Sequence, residues 1–175
     1  MKRRAGCFAL VVTAVLGGLA ACADINDTGL AALATRVQAY AVVNEQLVQG
    51  EMTLYPDHTG TVTLRADTPP SSGAATDASS PTKPLAQPIL NSCVGRFRYT
   101  ATTYGVIDLR CNEGSSADVR MALIGETRGY GYGQTATGPA SLTFGMNPVE
   151  ARAHLTVPPG KLLLERTEAS GLELK

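Results

Sequence analysis

Apolar side chains fall on every second residue through most of this chain, and that period of two limits the folds open to it. Met52 and Leu54 alternate with Glu51, Thr53 and Tyr55, while Val62 and Leu64 alternate with Thr61, Thr63 and Arg65. Pro56-Asp57-His58-Thr59-Gly60 between them is turn chemistry, so Gly50 to Arg65 reads as a β-hairpin with one buried face. The pattern resumes at Ser92. Cys93, Gly95, Phe97 and Tyr99 share one face and Val94, Arg96 and Arg98 the other. After a turn at Ala101-Thr102-Thr103, Ile107, Leu109 and Cys111 alternate with Asp108 and Arg110. Asn112-Glu113-Gly114-Ser115 is the next turn, and Val119, Met121 and Leu123 then alternate with Asp118, Arg120 and Ala122. Arg128 to Gln134 and Ala140 to Phe144 follow, with Leu142 and Phe144 inward. The spacing predicts an all-β fold, an antiparallel meander of about seven to eight strands closing as a small sandwich or barrel.

The flanks are read from the same signals. A short helix and a strand compete near the start of the domain; a strand from Arg36, with Val37, Ala39, Ala41 and Val43 on one face, gives the next strand its neighbour. Residues 67–88 are rich in Pro, Ser and Gly and poor in aliphatic side chains, so they predict a disordered loop inside the domain. Asn147-Pro148-Val149-Glu150 is a helix-start signature and predicts one short C-terminal helix to about Leu155, stopped by Pro158, Pro159 and Gly160. Residues 36–157 are thus one β domain. In the tail, 158–175, only Leu162-Leu163-Leu164 offers a further strand, and fraying is expected beyond it.

Upstream lies a different kind of segment. Lys2, Arg3 and Arg4 precede an apolar run from Phe8 to Leu16, which Gly17 and Gly18 end. That run is too short to span a bilayer core, which takes roughly 20 apolar residues, and its layout is that of a secretory signal. Leu19-Ala20-Ala21-Cys22 follows, and it resembles the lipobox of bacterial lipoproteins. The resemblance implies cleavage between Ala21 and Cys22, removal of residues 1–21, and a diacylglycerol, with palmitate-type acyl chains, on the Cys22 thiol. Two or three chains there make anchoring long-lived without a transmembrane helix. Residues 22–35 would be the lipidated tether. Ala23 stands where an Asp would signal inner-membrane retention, so the expected location is the periplasmic face of the outer membrane. The layout of the mature domain looks generally like small β-rich envelope lipoproteins.

Charge and composition narrow the function. The full chain has 15 basic and 15 acidic residues. The removed segment holds three basic and no acidic ones, leaving the mature chain 12 against 15, net −3. A mildly acidic chain without a basic block is a poor nucleic-acid binder. Trp is absent, which weakens an aromatic carbohydrate platform. His58 falls in a turn and His154 on the short helix, neither beside metal-ligand spacing, and Ser115 and Ser116 lie in a turn with no triad partner in sight. No catalytic residue, metal ligand or cofactor is assigned. Gly129-Tyr130-Gly131-Tyr132-Gly133 alternates within a strand pattern and does not open into a helix, so it reads as a bent strand that lets a neighbour approach closely. Tyr130 and Tyr132 form a candidate contact surface. The leading reading is a non-catalytic envelope lipoprotein with an unidentified envelope protein partner. The alternatives are a periplasmic inhibitor or small-ligand carrier on a β-barrel, and then an envelope hydrolase.

Once Cys7 is cleaved away and Cys22 acylated, Cys93 and Cys111 are the remaining thiols of four cysteines. Pairing Phe97 with Ile107 sets Gly95 against Leu109 and Cys93 against Cys111, and an oxidising compartment would join them.

Overall fold

The alternation of burial follows the alternation of sequence almost residue by residue. The computed structural model describes residues 32–66, 90–166 and 171–175. The chain divides into two units, residues 1–34 and 35–175. The second contains β1 (Thr35–Val43), β2 (Gln46–Leu54), β3 (Thr59–Ala66), β4 (Ser92–Ala101), β5 (Tyr104–Cys111), β6 (Ser116–Gly125), β7 (Arg128–Gln134) and β8 (Pro139–Phe144). Each pairs antiparallel with its neighbour in sequence, and β8 pairs back onto β1 to close an eight-stranded barrel. The expected strand at Arg36 is β1, with Ala39 set against Phe144 of β8. Pairing is the hairpin register expected for β4 and β5, with Phe97 opposite Ile107 and Gly95 opposite Leu109.

Eight strands leave an interior that side chains can fill. Here Met52, Leu64, Phe97, Ile107, Met121 and Phe144 fill it, all 2 % exposed or less. The Phe97 and Phe144 rings lie 6.0 Å apart. Glycines make room for these rings. A Cβ on Gly129 would come within 2.9 Å of Phe144, and one on Gly105 would collide with Phe97. Gly131 faces the carbonyl of Arg120 and the sulfur of Met121 with no space for a side chain. The alternating glycines are therefore close-approach positions, as their spacing suggests.

Turn chemistry matches local need. Asn44 and Glu45 take φ of 48° and 64° between β1 and β2, the two positive values of a two-residue hairpin turn. Between β2 and β3 the left-handed position is His58, φ 64°, and Gly60 lies inside β3. The Asp57 carboxylate stabilises that turn by accepting from the Thr59 amide at 3.0 Å and the Thr59 hydroxyl at 2.7 Å. These bonds hold the Asp57 carboxyl below its ordinary range.

The helix α1 (Pro148–His154) starts as its sequence dictates, with the Asn147 side chain accepting from the Glu150 amide at 2.9 Å. Seven residues are too few to persist alone. Packing holds it: Ala151 and Leu155 join Met146, Tyr40, Val42 and Leu47 in a second cluster outside the barrel. The tail departs from expectation. Beyond Leu164 it does not fray but forms a hairpin, β9 (Leu163–Arg166) with β10 (Gly171–Leu174), in which Gly171 pairs with Arg166. Leu163 and Leu172 are buried in the same cluster, and Lys175 exchanges backbone hydrogen bonds with Leu162 at 2.7 and 2.9 Å. The lost apolar exposure of Tyr40, Val42 and Leu47 is the physical reason this tail is ordered. Residues 67–88 lie outside the described residues.

Candidate functional site

Closure removes the sheet edges and a filled interior removes the lumen, so the barrel meets its surroundings through its outer wall. Helix α1 and the β9–β10 hairpin cover the part of that wall made by β8, β1 and β2. The Thr156 amide donates to Ser141 Oγ at 2.9 Å and the Leu172 amide to Gln49 Oε1 at 3.3 Å. Arg128 Nη2 donates to Glu150 Oε2 at 2.8 Å at the margin of this cover. Among the described residues, nothing packs over the outer wall of β3 to β6 or over Tyr132 of β7.

Register assigns the bare face. Arg98 stands opposite Val106, Val106 opposite Arg120, and Arg120 opposite Tyr132. One row along, Arg96 stands opposite Asp108 and Asp108 opposite Asp118. Directly opposed like charges destabilise a sheet. Here Arg110 Nη2 relieves the pair by bonding Asp108 Oδ2 at 3.3 Å, which also favours the charged Arg110 guanidinium. Val94, Tyr104 and Tyr132 are 55 %, 58 % and 49 % exposed among these charges. Two shallow clefts mark the face. One, about 540 Å³, is lined by Thr61, Thr63, Val94, Arg96, Asp108 and Arg110. The other, about 890 Å³, runs from Asp108 and Arg110 to Asp118, Arg120 and Gln134. The chemistry on offer is bidentate hydrogen bonding to carboxylate or phosphate by arginine.

The residues singled out from sequence are placed as follows. Cys93 and Cys111 form a disulfide between directly opposed positions, Cα atoms 4.0 Å apart. Tyr132 belongs to the bare wall. Tyr130 does not share it fully: its ring stacks on His154 of α1 at 4.2 Å and is half-buried against the second cluster. The two tyrosine rings still meet edge-on at 6.0 Å. His58 sits at its turn with its ring edge-on to Tyr99 at 5.2 Å. Ser115 Oγ donates to Glu113, and Ser116 opens β6. Ala21 and Cys22 lie outside the described residues. Among the described residues, no three His, Cys, Asp or Glu side chains gather as a metal-holding group, and no helix is long and apolar enough to cross a membrane. The arginine wall escaped the sequence reading because its members are scattered over four strands. The usable signal was that strand positions facing out carry Arg and never Lys.

No protein-family model matches the chain, and no curated protein matches it. Among solved structures, a redesigned β-barrel is similar, with a TM-score of 0.41 and 18 % identity over 64 % of this chain and 89 % of that one.

Proposed function

We propose that this chain is a lipid-anchored lipoprotein of the bacterial cell envelope that catalyses no reaction and acts as an interaction or accessory module for an envelope protein. The reading is supported at the N-terminus by charge, apolar run, break and lipobox standing in order over residues 2–22. The observation that carries the module reading is a closed barrel whose interior is filled by side chains, so that the described residues offer a partner their outer surface. A ligand carrier needs an apolar chamber of several hundred Å³, and the positions that would line one are occupied here by packed side chains. The disulfide fits an oxidising compartment.

Mass spectrometry of the membrane-extracted protein tests the anchor. The expected species begins at Cys22 and carries added acyl mass, and Cys22→Ala leaves the unprocessed precursor. A wild-type protein with no acyl mass at Cys22 would overturn the reading.

A further inference from the structure

Charge is sorted by position on this barrel. On β3 to β6 the outward positions hold Arg65, Arg96, Arg98, Arg110 and Arg120 against Asp108 and Asp118, five basic and two acidic, which makes the wall net +3. The six short turns are the opposite. They carry Glu45, Asp57, Glu113 and Glu126 and no lysine or arginine. The mature chain as a whole is acidic, so the wall is a local excess and not a reflection of composition. Val94, Tyr104 and Tyr132 stand exposed between the arginines. Arginine with interspersed tyrosine suits a lipid–water boundary, where the guanidinium takes phosphate oxygens and the tyrosine ring rests at headgroup depth.

We propose that the outer wall of β3 to β6, with Tyr132 of β7, docks on the phosphate headgroups of an anionic bilayer, with the barrel axis parallel to the membrane. The orientation follows from the sorting. The short turns put two carboxylates at each end, Glu45 and Glu113 at one, with Lys161 on the Glu45 carbonyl at 3.0 Å, and Asp57 and Glu126 at the other, so an anionic surface attracts the side of the barrel more than its ends. The strands are roughly 4.8 Å apart, so Arg98 and Arg120, two strands apart, reach separate headgroups. The helix–hairpin cover, on β8, β1 and β2, faces away and stays available to a protein partner. The proposal rests on the envelope reading for its biological setting, but the docking itself requires no acyl chain.

The test uses residues 22–175 carrying Cys22→Ser, because residues 35–175 hold the whole barrel and both of its clusters. The protein is sedimented with vesicles of phosphatidylglycerol and phosphatidylcholine in equal parts, and with phosphatidylcholine alone. Binding is expected to the first only, and to weaken steeply with salt. Each arginine near an anionic surface contributes roughly fivefold to partitioning. The triple variant Arg96→Ser/Arg98→Ser/Arg120→Ser should therefore lose roughly a hundredfold. Asp108→Asn/Asp118→Asn should bind the anionic vesicles more tightly than wild type and still not sediment with phosphatidylcholine alone or without vesicles, whereas a misfolded variant would sediment in all three.

The chain has no Trp, so an introduced one reports its own surroundings. Emission of Tyr132→Trp should shift to the blue on anionic vesicles, and that of Leu162→Trp on the cover should not. Equal binding to both vesicle types, an unaffected triple variant, or a shift at position 162 alone overturns the proposal. So does binding to poly-glutamate without binding to vesicles, which would make the occupant an acidic polypeptide. These readouts do not depend on acylation, so they stand or fall separately from the mass measurement at Cys22.

Discussion

Cys93 and Cys111 show how much one residue pair can carry. Cys93 is 1 % exposed among the interior apolar side chains, and Cys111 is half-buried where β5 meets its turn. Their bond ties β4 to β5 at the end where the chain returns from residues 67–91. Asn112 Oδ1 reinforces the same corner by accepting from the amides of Asn91 and Ser92 at 2.8 and 2.9 Å. Closing a loop of this length contributes roughly 3 kcal/mol, mainly by restricting the unfolded chain. Cys93→Ala/Cys111→Ala should lower unfolding free energy in urea by about that amount while leaving the circular dichroism spectrum of the barrel in place. Thiol labelling of the unfolded, non-reduced wild-type domain should find neither cysteine free. Two reactive thiols, or a variant as stable as wild type, would contradict this account.

At the scale of elements, the helix–hairpin cover decides a pH dependence. Tyr40 lies on the outward face of β1 and is 1 % exposed beneath the cover. Burial raises its pKa above the ordinary 10.0, and the Glu165 carboxylate on β9 adds to the shift. Folding therefore holds the phenol neutral. The stability it contributes is complete below the unfolded value of 10.0 and is lost as pH rises through the higher folded value. Urea stability should fall above pH 10.0, and Tyr40→Phe should flatten that fall. Some slope should persist, because burial also raises the pKa of Tyr99 with Glu126 nearby. An identical alkaline slope in Tyr40→Phe would remove Tyr40 as its source. The start of α1 was legible, since Asn147, Pro148 and Glu150 act within one turn. Its destination was not, but a signal existed: the second half of β1 is apolar on both faces, Tyr40 and Val42 beside Ala41 and Val43, and a strand apolar on both faces is covered on both.

For the whole molecule, the pairing of β3 with β4 bears on the segment that joins them. Arg65 pairs with Ser92, and the Ala66 amide donates to the Asn91 carbonyl at 2.8 Å, so the pairing of the two strands is continuous to the last described residues on either side. Deleting Pro69 to Pro84 should change stability by only about a kcal/mol, the scale of a closure-entropy difference. A loss of several kcal/mol in urea would mean that the segment packs on the domain.

Antiparallel β structure, the inward set from Met52 to Phe144, the β4–β5 register and the disulfide were all determined by the sequence alone. Each depends on residues close in the chain or on a strict period of two. Barrel rather than sandwich was decided by tertiary structure. Closure is the pairing of Ala39 with Phe144 and of Val43 with Ala140, and inward alternation is the same in either architecture. Tertiary structure also decided which side the helix and hairpin cover. The apolar outward side chains Tyr40 and Val42 of β1 and Leu47 of β2 are buried under the helix and hairpin, because their burial is a free-energy gain. That left Arg96, Arg98, Arg110 and Arg120, from three strands, to gather on the far wall, a grouping visible only once the strands lie side by side.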